Sequence, residues 1–198
     1  MVKSLKAKKA HSFLLEISKK MQHDSFHKFM QTTDIISIES RVDKTLSLNF
    51  FLIKTIIGQQ VSVKAAESIW LKVQAILTNS PSNISLDSLR EQGLSKPKAS
   101  YIQGILADKK IQSLDRVALK RFSDEDLSNL LLSINGVGPW TLGVIRMFYI
   151  QDSNVFLKGD LAINKALVNF FNSVEYEGED YSPYKTYLCL YLWRSLKS

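Results

Sequence analysis

The spacing of hydrophobic residues predicts helices almost throughout the chain, with little of the two-residue alternation that is typical of strands. Residues 12–30 carry apolar side chains at helical spacing. The run 48–57 is apolar around most of its circumference, which predicts a buried central helix. One further helix is expected after Ser62, and another after a turn at residues 96–98. The pattern therefore predicts an all-α fold.

Helix-start signals are clearest in the second half of the chain. Residues 123–126 (Ser-Asp-Glu-Asp) are typical of a capping box, with carboxylates near the positive end of the helix dipole. A tight turn follows at residues 135–138 (Asn-Gly-Val-Gly), and Pro139 suits the first position of the next helix. Asp160 precedes another helical pattern, and the last helix is expected to begin at Ser182-Pro183.

Composition describes a globular chain. Its 198 residues, 45% of them hydrophobic, are enough for one domain or for two small lobes with a sizeable core. Because no run of eighteen apolar residues occurs, no membrane span is expected. The basic N-terminus lacks the apolar segment of a secretory signal.

Charge and cysteine content limit the kinds of functional site that the chain can form. With 26 Lys and Arg against 19 Asp and Glu, the net charge is +7, which attracts phosphates without identifying a partner. Cys189 stands alone, so intrachain disulfides and cysteine-rich metal clusters are excluded, as suits a reducing compartment. His23 and His27 are four residues apart, but no third ligand accompanies them, and we interpret them as partly exposed helix residues.

Two features can carry chemistry, and each has a structural alternative. Gly136 and Gly138 let the backbone approach a ligand closely, and the helix beginning at Pro139 offers N–H groups to a DNA phosphate. They also suit an ordinary turn between helices. Asp160 can serve as an N-cap, or as a carboxylate beside a scissile C1′–N bond.

Aromatic residues near these features offer faces on which an everted base can stack. Trp140, Tyr184 and Trp193 are the candidates for such a base pocket. Tyr187 and Tyr191 have helical spacing, and we assign them to the core.

Five blocks, in order, carry a family resemblance that covers roughly residues 45–195. They are residues 56–66, 94–99, 134–141, 155–160 and 181–193. The chain resembles the helix-hairpin-helix DNA glycosylases, specifically the DNA-3-methyladenine glycosylase II (alkylpurine) branch. The fold implied is two helical lobes flanking a base-binding cleft. One lobe would comprise residues 1–45 and 155–198, and the central helix-hairpin-helix lobe residues 46–154.

The resemblance also implies site residues. Asp160 corresponds to the family's catalytic aspartate, and Gln60 or Gln59 to the side chain that fills the gap left by the flipped base. Trp140 and Trp193 match tryptophans of the base pocket. The phosphate-binding hairpin would comprise Gly136, Val137 and Gly138. No cofactor is required, although a structural Na⁺ or K⁺ is implied at the hairpin on the carbonyls of Leu132, Ile134 and Val137.

Trp140 separates two chemistries. Relatives that also cut the strand have at this position a lysine that attacks C1′, and tryptophan cannot do this. The resemblance therefore implies a monofunctional glycosylase that hydrolyses the N-glycosidic bond of flipped alkylated purines. The alternatives are an oxidised-purine glycosylase/lyase, with Lys158 as a substitute nucleophile, and a non-catalytic module that binds damaged DNA.

The implied partner is double-stranded DNA containing damaged bases, bound by a monomer without membrane association. The expected location is the cytoplasm or nucleoid of a bacterium or archaeon, or the nucleus of a eukaryote. The hairpin also departs from the family pattern, because Asn135 replaces its usual proline.

Overall fold

The computed structural model describes residues 4–79 and 84–196. Within these ranges the chain forms helices and no strand, and the predicted all-α fold is confirmed. Short 3₁₀ turns lie at Glu39–Arg41 and Glu179–Tyr181, and a π-helical segment, Ile145–Ile150, continues α10. The α-helices are α1 Leu5–Lys20, α2 Asp24–Thr32, α3 Leu48–Gly58, α4 Val63–Asn79, α5 Leu86–Glu91, α6 Lys96–Ala107, α7 Lys109–Ser113, α8 Arg116–Leu119, α9 Asp124–Leu132, α10 Pro139–Val144, α11 Leu161–Phe171 and α12 Lys185–Ser195.

The chain divides into two compact units. The first comprises Met1–Asp43 with Arg146–Ser198, and the second comprises Lys44–Ile145. The second boundary therefore falls within the π-helical segment, whereas the division made from the sequence puts it near residue 155.

The second unit is built around α3. Leu52, Ile53 and Ile56 are fully buried on this helix, which packs against α4, α6, α7 and α10. A helix that is apolar on most sides needs neighbours on most sides, and these four provide them. The predicted buried central helix is confirmed.

The first unit packs α1, α2, α11 and α12 together. The helical pattern over residues 12–30 is interrupted, because Gln22 adopts a left-handed φ of 56° between α1 and α2. His23 Nδ1 lies 2.8 Å from the Tyr181 hydroxyl, and His27 Nδ1 lies 2.9 Å from Ser18 Oγ. Both histidines therefore make structural contacts around this break.

Helix α12 is the most buried helix of the first unit. It begins at Lys185, three residues after the predicted start at Ser182. Tyr187 and Tyr191 are fully buried, so their assignment to the core is confirmed. No helix among residues 4–79 and 84–196 has the length and apolar character needed to span a bilayer.

Candidate active site

Asp160 lies at the N-terminus of α11 and accepts three hydrogen bonds on one carboxylate oxygen. Its Oδ1 accepts from the backbone N–H groups of Ala162 (3.0 Å) and Ile163 (2.9 Å), which is N-cap geometry. The same atom accepts from Trp193 Nε1 at 3.0 Å. The N-cap interpretation of Asp160 is thus correct. The indole contact, which no cap requires, gives the half-buried carboxylate a fixed orientation beside an aromatic face.

Buried residues of α12 hold the loop that leads to Asp160. Thr186 Oγ1 donates to the carbonyl of Asp152 (2.8 Å) and accepts from the N–H of Val155 (3.0 Å). The N–H of Leu157 donates to Cys189 Sγ at 3.4 Å. Burial raises the pKa of the Cys189 thiol to about 12, so it stays protonated at neutral pH. This cysteine serves the position of the loop rather than a reaction.

A salt bridge closes the other end of the same loop. The Arg146 guanidinium, in the π-helical segment, donates to Asp152 Oδ2 at 2.6 Å. The N–H of Asp152 donates in turn to the carbonyl of Arg146 at 2.9 Å. No local sequence pattern predicts this salt bridge, because it depends on where the π-helical segment ends.

Trp193 joins the carboxylate to a second aromatic ring. Its ring is stacked on Phe148, with centroids 6.1 Å apart and planes at 14°. Both side chains are partly exposed. The first unit therefore combines a carboxylate with a half-exposed pair of π-faces, which suits stacking on a planar cationic base. Phe148 was not among the predicted site residues.

Tyr184 does not belong to this group. Its ring packs edge-on against Phe13 and Tyr187, at centroid distances of 5.3 and 6.0 Å. It is the N-cap of α12 and lies roughly 13 Å along the helix axis from Trp193. Eight residues of α12 separate Tyr184 from Trp193, whose indole contacts Asp160, and the role of Tyr184 in a base pocket stays a prediction.

Replacing Trp193 by Phe tests the indole contact. Trp193→Phe removes the Nε1 donor but keeps a ring against Phe148, so the unit should keep its fold. We expect the rate of any reaction that uses Asp160 to fall about tenfold, because the loss of one charge-assisted hydrogen bond loosens the carboxylate. Single-turnover kinetics and the melting temperature measure the two effects. An unchanged rate would show that the indole does not position the carboxylate.

The hairpin between α9 and α10 lies in the second unit. The N–H of Val137 donates to the carbonyl of Ile134 at 3.0 Å, and Gly136 has a φ of +90°, as the third residue of a type II turn requires. A Cβ on Gly136 would lie 2.6 Å from Cδ2 of Tyr101. Gly138 is extended, and a Cβ there would meet nothing within 4 Å. Only Gly136 is required by the turn, whereas Gly138 leaves open space before α10.

Helix α10 begins as predicted, with Pro139 as its first residue. Its first N–H groups lack acceptors within the helix, as at any helix start, and they lie beside the open space at Gly138. Trp140, the second residue of α10, is half-buried.

The two glutamines between α3 and α4 differ in environment. Gln59 Nε2 donates to the carbonyl of Gly136 (2.9 Å) and to Thr141 Oγ1 (3.0 Å), so this side chain is directed into the second unit. Gln60 is exposed and has a left-handed φ of 56°. This geometry contradicts Gln59 as a gap-filling residue and leaves Gln60 as the candidate.

The described residues contain no group of three His, Cys, Asp or Glu side chains that is able to hold a metal. The predicted cation ligands are main-chain carbonyls at the end of α9 and in the hairpin. The carbonyl of Ile134 accepts the N–H of Val137, but a carbonyl oxygen has a second lone pair. The hard oxygen donors present are thus compatible with Na⁺ or K⁺.

Lys158 lacks the features of a nucleophile. Its side chain is exposed and forms an ion pair with Glu177. The hydrogen bond and the charge of Glu177 raise the pKa of Lys158, whereas a lysine that forms a Schiff base needs a lowered pKa. The structure gives no support to Lys158 as a substitute nucleophile.

Comparison with known proteins identifies relatives of the chain. No model of a known protein family matches it. A Bacillus subtilis protein named as a DNA-3-methyladenine glycosylase, YfjP, is 29% identical over 122 residues, which are 58% of this chain. The DNA-3-methyladenine glycosylase 1 of Schizosaccharomyces pombe is 26% identical over 163 residues, 74% of this chain. The aligned regions span 42% of the first relative and 71% of the second.

Solved structures agree in fold. A DNA-3-methyladenine glycosidase from Bacillus halodurans superposes with a TM-score of 0.73 at 23% identity, covering 94% of this chain and 89% of that one. The S. pombe glycosylase Mag1, in complex with abasic DNA, superposes with a TM-score of 0.68 at 22% identity, covering 79% and 85%. The fold is thus that of the helix-hairpin-helix DNA glycosylases.

The sequence relatives narrow that class. The chain is similar to proteins named as DNA-3-methyladenine glycosylases, in sequence as well as in fold.

Proposed function

We propose that the chain is a monofunctional DNA glycosylase, which hydrolyses the N-glycosidic bond of flipped alkylated purines of the 3-methyladenine type in base-excision repair. The observation that carries this proposal is the carboxylate of Asp160. Its Oδ1 is held by two N–H groups of α11 and by the indole of Trp193, next to the stacked ring of Phe148. A fixed anion beside π-faces suits a reaction that develops positive charge on a sugar next to a cationic base.

The reaction is a hydrolysis at C1′. A purine alkylated at N3 or N7 is positively charged, so the electron pair of the C1′–N bond leaves with the base and no strong general acid is needed. Asp160 stabilises the positive charge that develops on the sugar, orients a water molecule and accepts its proton. The water oxygen bonds to C1′, and the products are the free base and an abasic site.

DNA is the proposed partner, and the chain acts on it as a monomer. The second unit supplies the hairpin of Gly136, Val137 and Gly138, and the N–H groups at the start of α10 receive a phosphate in the open space at Gly138. Gln60 fills the gap left by the flipped base, and Trp140 and Trp193 provide stacking surfaces. The net charge of +7 favours association with the DNA backbone.

A monovalent cation is proposed as an accessory of the hairpin. The carbonyls of Leu132, Ile134 and Val137 would hold Na⁺ or K⁺, and the bound ion would add positive charge near the phosphate. The residues described above then need no further cofactor for base hydrolysis.

Base release without a covalent adduct is the expected result for the wild-type protein. Duplexes that contain 3-methyladenine, 7-methylguanine, hypoxanthine or 8-oxoguanine are incubated with the protein, and the released bases are separated by chromatography. We expect release of alkylated purines and no protein–DNA adduct on borohydride reduction, because Trp140 lacks an amine and Lys158 is paired with Glu177. A trapped adduct would support the lyase, and binding without any release would support a non-catalytic module.

A further inference from the structure

Two side chains from distant parts of the second unit converge on the loop between α3 and α4. Lys98, in the first turn of α6, donates from Nζ to the carbonyls of Ile57 (2.9 Å) and Gln59 (2.5 Å). The side-chain amide of Gln59 donates to Gly136 in the hairpin and to Thr141 in α10. The residue that precedes Gln60 is therefore bonded to α6 through its carbonyl and to the hairpin through its side chain.

The ammonium group of Lys98 lies at the C-terminal end of α3. The last carbonyls of α3 accept no hydrogen bond from an N–H group further along the helix, and they form the negative end of the helix dipole. A positively charged ammonium group therefore stabilises them. Burial lowers the pKa of Lys98, which agrees with an amine withdrawn from water toward these carbonyls. One side chain thereby satisfies two carbonyl groups at the end of the helix and in the loop.

Gln60 requires such support, because a φ of 56° lies in the left-handed region, where a residue with a side chain is strained. Side-chain packing does not support this loop on every side. A cavity of about 220 Å³ lies against the loop, lined by Gln59, Gln60, Val61 and Lys98 among others. The hydrogen bonds of the Gln59 side chain and of Lys98 hold the residue that directly precedes Gln60.

We propose that Gln59 and Lys98 are positioning residues that hold Gln60 in a fixed place relative to the phosphate-binding hairpin. A DNA phosphate seated on the hairpin then determines where Gln60 enters the duplex. The inference depends on the proposed function, since it presumes that the hairpin binds phosphate and that Gln60 fills the gap.

The test compares Gln59→Leu and Lys98→Met with and without Gln60→Ala. Single-turnover base release is measured, together with the fluorescence of a 2-aminopurine placed next to an abasic-site analogue in duplex DNA, which reports whether the gap is filled. Each substitution should slow release about tenfold, because it removes two hydrogen bonds. In the Gln60→Ala background each should slow release less than twofold, because no side chain remains to be positioned. With Gln60 present, Gln59→Leu and Lys98→Met should each also remove most of the fluorescence change.

Matched variants separate positioning from general destabilisation. Gln103 Nε2 donates to the carbonyl of Ile84 at 3.0 Å on α6, so Gln103→Leu removes a similar bond away from the loop and should leave both signals unchanged. Lys98→Arg keeps a charged donor and should recover most of the rate. If Gln59→Leu does not fold, Gln59→Glu preserves its shape but cannot donate to the Gly136 carbonyl.

The outcomes distinguish this inference from the proposed function. Equal slowing by Gln59→Leu with and without Gln60→Ala would leave only a structural role and overturn the inference. If the wild-type protein fills the gap in abasic DNA but releases no base, the proposed activity fails and the fluorescence still decides the role of Gln59. If the wild-type protein gives no fluorescence change, Gln60 does not fill the gap and the inference is wrong.

Discussion

Asp160→Asn should reduce base release about 10³-fold, because a neutral amide no longer stabilises the charge that develops on the sugar. The substitution keeps an oxygen that can accept from Ala162, Ile163 and Trp193, so α11 keeps its cap. Affinity for undamaged duplex and the melting temperature should therefore stay close to the wild-type values. Release from alkylated DNA, fluorescence anisotropy with undamaged DNA, and thermal unfolding measure the three quantities.

Asp108 provides a matched control within the same chain. It caps α7 by accepting from Lys110 and Ile111 at 2.8 and 3.0 Å, nearly the geometry of Asp160 on α11. Asp108→Asn should leave base release unchanged, because that carboxylate has no proposed role in the reaction. If both variants retain release, Asp160 is a helix cap and the proposed mechanism is wrong.

The sequence predicts the helices well where burial is periodic. Helix α3 is apolar on most sides and is buried by its neighbours, and Ser123 caps α9 as expected, accepting from the N–H of Asp126 at 3.0 Å. The break between α1 and α2 was not predicted. It depends on a left-handed Gln22, and no glycine, asparagine or proline marks that position.

The start of α6 has a similar explanation. Residues 96–98 suggest a turn, but Ser95 caps a helix that includes all three, with Pro97 in its first turn. Proline is tolerated there because the first N–H groups of a helix have no intrahelical acceptor. A proline near a helix start therefore marks the helix itself as readily as the turn before it.

The chemistry of the candidate site was predictable in part. Asp160 has a local signature, because an aspartate before an apolar helical pattern suits an N-cap. Its contact with Trp193 joins residues 33 positions apart, and no local pattern encodes it. The supports from Thr186 and Cys189 on α12 were also missed, because a buried threonine and a lone cysteine resemble ordinary core residues.

Gln59 and Gln60 show the same limit of sequence-based prediction, here between two adjacent residues. Gln59 and Gln60 have identical side chains, so sequence chemistry cannot distinguish the one that faces DNA. The backbone decides, because the left-handed turn at Gln60 directs adjacent side chains into different environments. The contacts of Gln59 with the hairpin then follow from the tertiary fold.

Gly136→Ala should lower the free energy of unfolding by about 2–4 kcal/mol, because the alanine would have to adopt a positive φ and its methyl group would overpack against Tyr101. The added Cβ would lie 2.6 Å from Cδ2 and 2.9 Å from Cγ of that ring, atoms too close to the backbone to move away easily. The corresponding fall in melting temperature is roughly 10 °C for a chain of this size. Thermal and urea unfolding measure the effect, and wild-type stability would show that the hairpin tolerates a side chain at this position.

Gly138→Ala should behave in the opposite way, although it makes the same chemical change two residues further on. Gly138 is extended, and its added methyl group meets no protein atom within 4 Å, so unfolding should change by less than about 0.5 kcal/mol. The methyl group enters the space proposed for a DNA phosphate, and affinity for undamaged duplex at fixed salt should fall about tenfold. Wild-type affinity in Gly138→Ala would contradict the proposal that a DNA phosphate occupies the space at Gly138.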